Sequence, residues 1–323
     1  MPVKSLALAI PTYQRAEILE DNLRLMAPTL EQLDIAVYVF DDSADEATAG
    51  VIKRLASSTR LELHYRHNRP ALRHDANLVL ALTTPPTDFV WLLGDGSQLD
   101  DAGLRAVHSR LGEQDFIFVK SRGGAAPATL EHLGDAALRR FMAERAWDLS
   151  YTGATVYGRR VIDWWRSDPA HVPVANFPQL SFTLGFLAVP HQASATWIGS
   201  EVVSNHPRKT QSYWLDAALS IWGSDWHRVI SSHRGAFGGL AIGPVLRSHA
   251  RQTGVLSTKH LLVLRAAGKF SRQALQDQPE LRQCCAVGGF GLALLAALPQ
   301  RAAAAIVALR PSWQRRYLPV ARR

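Results

Sequence analysis

The amino-acid sequence predicts an α/β fold, in which a mostly parallel sheet is flanked by helices and followed by a helical C-terminal extension. Short, continuously apolar runs alternate with segments of helical periodicity over the first 120 residues, as in a βαβ series. Of the 323 residues, 47% are apolar and 20% are charged, which provides a full core and excludes a disordered or low-complexity chain.

The strands of this series are predicted from their apolar character, because strands buried on both faces of a parallel sheet are continuously hydrophobic. The five runs are Ser5–Ile10, Ile35–Phe40, Leu61–Tyr65, Phe89–Leu93 and Phe116–Val119. Helical segments lie between them at 16–26, 48–56 and 74–82. Right-handed crossovers bring the loops that follow parallel strands to one edge of the sheet, and we expect a ligand at that carboxyl edge.

The pattern after residue 120 is looser. It predicts helices at 135–145, 160–166 and 176–188 and a strand at 149–157. Asn176 is expected near the cap of the last helix, with Pro178 in its first turn. No repeat and no clear linker is evident, so residues 1–240 are expected to form one domain, with 241–323 as a helical, basic extension.

Charge is distributed unevenly along the chain. The net charge is +8, yet residues 1–120 contain 12 Lys and Arg against 17 Asp and Glu, whereas residues 121–323 contain 24 against 11. Residues 281–323 hold seven arginines and no acidic residue. A basic patch at one end predicts contact with an anionic partner, either phospholipid or nucleic acid, rather than tracking along DNA over the whole face. Our leading interpretation has no nucleic-acid partner.

The same end of the chain contains two short apolar runs. Residues 284–298 carry no charge, but 15 residues are fewer than the roughly 20 that a membrane-spanning helix needs; a second run follows at 302–309. We interpret both runs as helices lying in a membrane interface, with helices packed on the main domain as the alternative. The adjacent Cys284 and Cys285 cannot join distant segments, which fits a reducing compartment. The expected location is cytoplasmic, peripheral on the inner face of the cell membrane.

Residues suited to a nucleoside diphosphate follow the first four strands. An aromatic ring can stack on a base, carboxylates can accept hydrogen bonds from a base or ribose, and arginines can contact phosphate. A carboxylate can also hold a divalent cation against phosphate oxygens. Each signal alone is common at strand ends, but chance would rarely produce all four in this order. The residues are Pro11, Tyr13 and Arg15; Asp41 and Asp42; Arg73, Asp75 and Asn77; and Asp95 and Ser97.

Four motifs carry a resemblance to a known family. They are Ile10–Arg15 (IPTYQR), Phe40–Ser43 (FDDS), Arg73–Asn77 (RHDAN) and Trp91–Ser97 (WLLGDGS). The sequence resembles family 2 glycosyltransferases, in detail the abequosyltransferase-like branch, over roughly residues 5–190. The resemblance implies a GT-A fold, the Rossmann-like fold of nucleotide-diphospho-sugar transferases. Residues 1–120 would then be the nucleotide-binding half and 121–240 the acceptor half.

The resemblance also implies an activity. A hexosyl or deoxyhexosyl group would pass, with inversion and metal assistance, from a nucleotide-sugar donor to a lipid-linked or cell-surface glycan, as in polysaccharide or O-antigen biosynthesis. Carried over by position, the nucleoside would be held by Pro11, Tyr13, Arg15, Asp41 and Asp42. The diphosphate or donor sugar would be contacted by Arg73, Asp75 and Asn77.

The sequence departs from the family at the metal motif. Relatives usually have Asp-x-Asp or three aspartates, where this chain has Asp95, Gly96 and Ser97. Magnesium often binds through one or two carboxylates together with phosphates and waters. A weakened Mg²⁺ or Mn²⁺ site at Asp95 and Ser97 is therefore favoured. The alternative is that Arg15 and Arg73 neutralise more of the charge of the leaving group.

The general base is the least clearly indicated residue. Many relatives have a carboxylate at the start of a helix in the second half, but the helix predicted at 176–188 begins without an acid. Asp168 and His171, just upstream, are the substitutes. The alternatives are that Asp168 initiates a turn before Pro169 and that His171 is a loop residue without a role.

Three other functions stay open. A nucleotidyltransferase would need a glycine-rich loop after the first strand, and Pro11–Arg15 contains no glycine. A catalytically degenerate nucleotide-sugar-binding protein is favoured by Gly96 and Ser97. Nucleic-acid binding through the arginine-rich tail would require residues 281–323.

Overall fold

The computed structural model describes residues 4–120, 130–190, 192–209, 217–310 and 312–313. The chain divides into two compact units. Unit 1 comprises Met1–Met142 and Asp148–Lys209, and unit 2 comprises Ala143–Trp147 and Thr210–Arg323. These units are defined by compactness and do not test the predicted functional domain of residues 1–240, which stays a prediction.

Unit 1 is built on strands whose apolar side chains are almost fully buried. The strands are β1 (Leu6–Thr12), β2 (Ala36–Asp41), β3 (Leu63–His67), β4 (Phe89–Leu92), β5 (Ser97–Leu99), β6 (Phe116–Lys120), β7 (Leu130–Leu133), β8 (Thr155–Gly158), β9 (Ala195–Glu201) and β10 (Val203–Asn205). Eight of them form one sheet in the order β3-β2-β1-β4-β8-β6-β9-β7. Strands β3, β2, β1 and β4 are parallel neighbours, as are β6 and β9, whereas β8 and β7 run antiparallel to their neighbours. The predicted mostly parallel α/β sheet is therefore confirmed.

Helices that bury apolar side chains flank this sheet. They are α1 (Ala16–Gln32), α2 (Ala47–Ser58), α3 (His74–Thr83), α4 (Asp101–His108), α5 (Asp135–Leu149), α6 (Arg159–Ser167) and α7 (Pro178–Ala188). In α1, for example, Leu19, Leu23 and Met26 recur at helical spacing and are buried in the core that contains the strand residues Leu8 and Val37.

The order of the strands reverses between β1 and β4. The chain builds β1, β2 and β3 outward in one direction and then returns to place β4 on the other side of β1. In open α/β sheets ligands bind where the strand order reverses, at the carboxyl ends of the strands. The loops that follow β1 and β4 flank this position.

Two of the predicted elements need correction. The strand predicted at 149–157 is shorter, because Leu149 ends α5 and β8 begins only at Thr155. Gly153 has a φ of +110°, a conformation that favours glycine and breaks an extended run. The helix predicted at 176–188 begins two residues later, at Pro178; Asn176 lies beside the N-cap Phe177, as expected, and has a left-handed φ of +64°.

A second, two-stranded sheet pairs β5 with β10 in antiparallel register, with Ser97 opposite Asn205. Neither three-residue strand has a periodic pattern long enough to be recognised in the sequence. This small sheet brings residues 203–205 to the segment that follows β4.

Unit 2 is helical in its described residues, which confirms the expected helical C-terminal extension. Its helices are a π-helix (Ser220–Asp225), α8 (Trp226–Ser232), a 3₁₀ helix (Arg234–Phe237), α9 (Ile242–Thr253), α10 (Thr258–Ala266), α11 (Arg272–Asp277), α12 (Leu281–Cys284), α13 (Gly289–Ala297) and α14 (Gln300–Ala308). Aromatic stacking helps to form the core, since the ring centroids of Trp222 and His249 are 3.6 Å apart. Cys284 and Cys285 are buried free thiols, and burial raises the pKa of Cys285 to about 12.

The two predicted apolar helices are α13 and α14, which meet at an angle of 98°. In the described part of the chain no single helix has the length and hydropathy of a membrane span, although this bent pair meets the test as a unit. Phe290 and Leu309 are 80% and 75% exposed. The arginines at 315, 316, 322 and 323 lie outside the described residues.

Candidate active site

Three loops at the carboxyl ends of parallel strands lie against one another. The Thr12 hydroxyl, at the end of β1, donates a hydrogen bond to Asp95 Oδ2 after β4 over 3.2 Å. The Asp42 N–H, after β2, donates to the Thr12 carbonyl over 3.0 Å, and the Gln14 N–H donates to the Ser43 hydroxyl over 2.8 Å. The motifs that follow β1, β2 and β4 therefore form one continuous surface at the switch point of the sheet.

Asp41 is a structural anchor of this surface. Its side chain is fully buried, Oδ1 accepts the Ser43 N–H at 2.9 Å, and Oδ2 accepts the Tyr65 hydroxyl at 2.9 Å. Burial, followed by the hydrogen bond to Asp41, raises the pKa of Tyr65 far above its ordinary value, so the phenol stays a neutral donor. With both oxygens engaged, Asp41 orients the loop instead of presenting a free acceptor.

Asp42 differs from Asp41 because one of its oxygens is unengaged. Oδ1 accepts hydrogen bonds from Asn68 Nδ2 at 2.8 Å and from the Leu72 N–H at 3.2 Å. No described residue donates a hydrogen bond to Oδ2. Asn77 supports this arrangement, because its Oδ1 accepts from Asn68 at 3.0 Å and its Nδ2 donates to the Phe40 carbonyl at 3.0 Å. Asn77 is thus a buried link between α3 and β2.

The turn after β1 presents an aromatic ring. The Tyr13 side chain is 59% exposed, whereas Pro11 is half-buried in the last part of the strand. Gln14 has a left-handed φ of +51°, and its N–H is held by the Ser43 hydroxyl. The turn therefore exposes the Tyr13 ring while its backbone stays fixed to the neighbouring loop.

Arg73 and Asp75 lie at the start of α3. Arg73 is exposed and adopts a left-handed φ of +69°. Asp75 Oδ1 is 2.7 Å from His74 Nδ1, and Asp75 Oδ2 accepts the N–H of Asn176 at 3.0 Å. Burial raises the pKa of Asp75, but these hydrogen bonds outweigh burial and lower it overall. A carboxylate from α3 is thereby held just before α7.

Asp95 is occupied by donors of the chain itself. Oδ1 lies 2.8 Å from Arg15 Nη1 in a salt bridge, while Oδ2 accepts from Thr12 and lies 3.5 Å from the Tyr13 N–H. Its carbonyl accepts from Asn22 Nδ2 at 2.7 Å. The carboxylate is therefore committed to the turn that follows β1.

The donor set at the metal motif does not fit a divalent cation. Ser97 is buried, and its hydroxyl is 3.0 Å from the Tyr151 hydroxyl, while Gly96 offers no side chain. Hard cations such as Mg²⁺ take carboxylate oxygens as their protein ligands, and both oxygens of Asp95 already accept hydrogen bonds. In the described part of the chain no group of three His, Cys, Asp or Glu side chains is arranged to hold a metal.

Asp168 and His171 both make local structural contacts. Asp168 is exposed, and its Oδ1 accepts the Ala170 N–H at 2.8 Å, which is the geometry of a turn. His171 Nδ1 lies 3.0 Å from the Trp165 carbonyl, and its ring lies 4.2 Å from that of Trp164. These contacts match the alternatives weighed for both residues, and their role as bases stays a prediction.

Several residues of this surface were not predicted from the sequence. Tyr65 lies within β3, and Asn68 directly follows this strand. A polar residue at the end of a strand was the available signal for Asn68. Tyr151 and Lys209 approach Ser97 and Gly96 from distant segments, and no periodicity marks either of them.

A cavity of about 520 Å³ in unit 2 has none of these motifs in its lining. Its lining includes Arg251, Ser257 and Lys259. A large cavity is often a binding site, but this one contains no carboxylate or aromatic residue from the strand-end motifs. The chemistry of the sheet edge is therefore the better guide to function.

No family model matches the chain, and no curated protein matches its sequence. Solved structures do match. The mannosyltransferase PcManGT from Pyrobaculum calidifontis, in complex with GDP-Man and Mn²⁺, has a TM-score of 0.55 and 14% identity over 96% of this chain and 80% of that chain. S. aureus TarS 1–349 has a TM-score of 0.54 and 15% identity over 87% and 78%. The same protein in complex with UDP-GlcNAc has a TM-score of 0.52 and 14% identity over 87% and 79%.

These similarities establish the fold. The mostly parallel sheet flanked by helices is that of GT-A glycosyltransferases, as the resemblance in the sequence implied. At sequence identities of 14% and 15%, these similarities support the fold and not a particular function. The abequosyltransferase-like branch therefore stays a prediction.

Proposed function

We propose that the chain is a glycosyltransferase that moves a hexosyl or deoxyhexosyl group from a nucleotide-sugar donor to a lipid-linked or cell-surface glycan. The observation that carries the proposal is the meeting of the strand-end loops, in which Thr12 contacts both Asp95 and the backbone of Asp42. The structural similarity to proteins in complex with GDP-Man and UDP-GlcNAc supports this class of donor.

Three groups are suited to the donor. The exposed ring of Tyr13 can stack on a nucleobase, and Asp42 Oδ2 can accept a hydrogen bond from a base N–H or a ribose hydroxyl. The exposed guanidinium of Arg73 can contact a phosphate oxygen. Pro11, Asp41 and Asn77 would act indirectly, by holding these loops in place.

The reaction would be a single displacement with inversion. An acceptor hydroxyl oxygen bonds to the anomeric carbon, the bond from that carbon to the diphosphate oxygen breaks, and the acceptor proton passes to a base. Stabilising the charge that develops on the leaving diphosphate is expected to be the largest contribution to the rate.

Asp168 and His171 remain candidates for the base, and Asp75 joins them. Asp75 is held by the Asn176 N–H just before α7, close in position to the carboxylate that relatives are expected to carry at the start of this helix. Its lowered pKa keeps it ionised at neutral pH, as a base requires. Substitution to Asn at 75 and at 168 would distinguish the two carboxylates by their effects on turnover.

The membrane surface is the proposed location of the acceptor. Phe290 and Leu294 lie one helical turn apart on α13 and are 80% and 57% exposed. Arg301 lies in the first turn of α14, and Arg310 follows the end of that helix. Exposed apolar side chains beside arginines suit an anionic interface. The double variant Phe290→Ser/Leu294→Ser should lose binding to vesicles of phosphatidylglycerol and phosphatidylcholine, while Leu25→Ser, an exposed leucine on α1, should not.

A screen of nucleoside diphosphates and their sugars by thermal shift tests the main proposal. A ligand that binds only the folded state raises the melting temperature. We expect one nucleotide family to do so, and Asp42→Asn to reduce its effect. The matching sugar donor should then be hydrolysed or transferred. Binding without turnover on any acceptor would favour a degenerate binding protein, and no binding of any nucleotide would contradict the proposal.

A further inference from the structure

One oxygen of the Asp42 carboxylate is saturated by the chain itself. Oδ1 accepts hydrogen bonds from Asn68 Nδ2 at 2.8 Å and from the Leu72 N–H at 3.2 Å. Each oxygen of a carboxylate has about two lone-pair positions, so these two donors occupy both positions of Oδ1. The side chain can therefore offer a ligand only Oδ2, to which no described residue donates a hydrogen bond.

The Asn68 amide is held in the orientation that saturates Oδ1. Its Nδ2 donates to Asp42 and also to Asn77 Oδ1 at 3.0 Å, and contact with two acceptors identifies this atom as the amide nitrogen. The Asn68 N–H donates to the Asp41 carbonyl at 2.8 Å, and the side chains of Asn68, Asn77 and Asp42 are all buried. Asn68 Oδ1 is sealed from solvent without a partner, so it offers a ligand no second acceptor.

A single acceptor oxygen distinguishes among the nucleobases by the groups on their pairing edges. Uracil and thymine present one N–H group between two carbonyl oxygens, which matches one acceptor. Guanine presents two adjacent donors, N1–H and N2–H₂, which a carboxylate binds best through both oxygens in parallel, as it binds a guanidinium. Cytosine and adenine present an unprotonated ring nitrogen, whose lone pair a carboxylate repels. The hydroxyls at positions 2 and 3 of a ribose also form a pair of donors.

The turn after β1 places its aromatic ring beside this acceptor. Both neighbours of Tyr13 are bonded to the loop of Asp42, because the Thr12 carbonyl accepts the Asp42 N–H at 3.0 Å and the Gln14 N–H donates to the Ser43 hydroxyl at 2.8 Å. Tyr13 itself is 59% exposed. A base stacked on this ring can therefore turn its pairing edge toward Asp42.

We propose that the donor nucleotide carries uracil or thymine, and that Asn68 and the Leu72 N–H set this preference by leaving Asp42 one acceptor oxygen. The inference rests on the proposed function, because it names the base of the same donor. Asn68 is a positioning residue, since it acts on the base only through Asp42. The similar structures are complexes with GDP-Man and with UDP-GlcNAc, so the fold is compatible with either base and local hydrogen bonding makes the choice.

The first test uses the unmodified full chain. Calorimetry with UDP, dTDP, GDP, CDP and ADP, each with and without MnCl₂, should show UDP or dTDP binding at least about 10-fold more tightly than the other three. The comparison of UDP with dTDP then distinguishes uracil from thymine. The N3-methyl form of the tighter nucleotide lacks the N–H, and it should bind about 10-fold to 100-fold more weakly, the range for a hydrogen bond to a charged group.

The second test uses the ratio of GDP to UDP affinity, or to dTDP affinity if that nucleotide binds more tightly. Asn68→Ala frees one position on Asp42 Oδ1, so this ratio should rise by about 3-fold to 10-fold, as expected for one additional hydrogen bond. Gln32→Ala is the matched control, because Gln32 is the last residue of α1 and its amide oxygen accepts Arg105 Nη2 at 2.6 Å. The ratio should change by less than about twofold in this control.

The outcomes separate the two proposals. Tighter binding of GDP, CDP or ADP, or equal binding of the N3-methyl form, would overturn this inference and leave the glycosyltransferase proposal standing. No binding of any nucleotide would overturn the glycosyltransferase proposal itself. Circular dichroism checks that each variant folds. A purely structural role of Asn68 would weaken all nucleotides equally, so an unchanged ratio in folded Asn68→Ala would overturn its role in selecting the base.

Discussion

The two sides of the candidate active site differ in how they hold their carboxylates. On the side after β2, which we call the nucleoside side, the described residues that donate hydrogen bonds to the Asp41 and Asp42 side chains are neutral, such as the Tyr65 hydroxyl and the Asn68 amide. On the side after β4, the phosphate side, Asp95 is paired with the guanidinium of Arg15.

This difference indicates a division of labour. Neutral donors orient a carboxylate without cancelling its charge, so the nucleoside side keeps the ability to accept hydrogen bonds from N–H and O–H groups. On the phosphate side, the salt bridge with Arg15 neutralises the charge of Asp95. One sheet edge can thus recognise the two chemically different halves of a nucleoside diphosphate.

Of the variants that test this difference between the two sides, removal of the Asp95 side chain should have the largest effect, a loss of turnover. In Asp95→Ala, Arg15 loses its partner and the turn after β1 loses the acceptor for Thr12, so turnover of the donor should fall by about 10²-fold through misplacement of the turn. The affinity for the nucleoside diphosphate should not fall, because the positive charges remain. Separate measurement of kcat and of the dissociation constant checks this split.

Asp88→Ala is the matched control, since Asp88 precedes β4 whereas Asp95 follows it. It bonds Ser5 at the opposite end of the sheet and should leave turnover within about twofold at a temperature where the variant is folded. Equal losses of turnover in both variants would mean that Asp95 acts only on stability.

Asp42→Asn should have the next largest effect, and this effect should be on ligand binding at the nucleoside side. Loss of a charged acceptor should weaken nucleoside binding by about 10-fold. Asp45→Asn is the control, because Asp45 lies on an exposed turn and bonds only the Ala47 N–H among described residues. Unchanged affinity of Asp42→Asn for the free nucleoside, measured by calorimetry, would contradict the assignment of the nucleoside side.

Salt should act unequally on the two halves of the ligand. Exposed charge interactions are screened over about 8 Å at physiological ionic strength, so raising NaCl from about 0.05 M to about 0.5 M should weaken binding of the diphosphate several-fold. Binding of the free nucleoside should change by less than about twofold. An equal loss for both ligands would remove the distinction between the two sides.

The smallest expected effect concerns Asp75 and acid stability. The folded pKa of Asp75 is lowered, so its stabilisation is present above the unfolded value near 3.8 and is lost as pH falls through the folded pKa. The group is partly exposed, which limits the effect to about 1 kcal/mol or less. Urea unfolding at pH 6 and pH 3 should show a smaller loss for Asp75→Asn than for the unmodified chain, and an equal loss would contradict this origin.

The predicted strands and the observed ones agree best where both faces are buried. Runs such as Phe89–Leu93 and Phe116–Val119 are apolar at every position, and every residue of β4 and β6 is buried. Agreement fails at the strand predicted at 149–157, where hydrophobic residues also occur in a helix end and a turn. The apolar pattern reports burial and only indirectly the kind of element.

In the candidate site, too, the sequence predicted only what a local pattern marks. Pro11, Tyr13, Asp42 and Asp95 could be selected because each stands next to a predicted strand end. The hydrogen bonding of Asp41 and Asn77 could not be predicted. Nothing in the neighbouring sequence shows that Asp41 is bonded to the Tyr65 hydroxyl or that Asn77 is bonded to the Phe40 carbonyl. Whether a polar group is free for a ligand depends on partners that approach through folding.

The sequence by itself determined the α/β class and the order of the loops along the carboxyl edge, because burial on two faces and right-handed crossovers are properties of local pattern and chain order. Only the tertiary structure decided which side chain lies over the metal motif. The pairing of β5 with β10 brings Lys209 over Gly96. That contact depends on the register of two three-residue strands far apart in the chain, and hydrophobic periodicity carries no information about it.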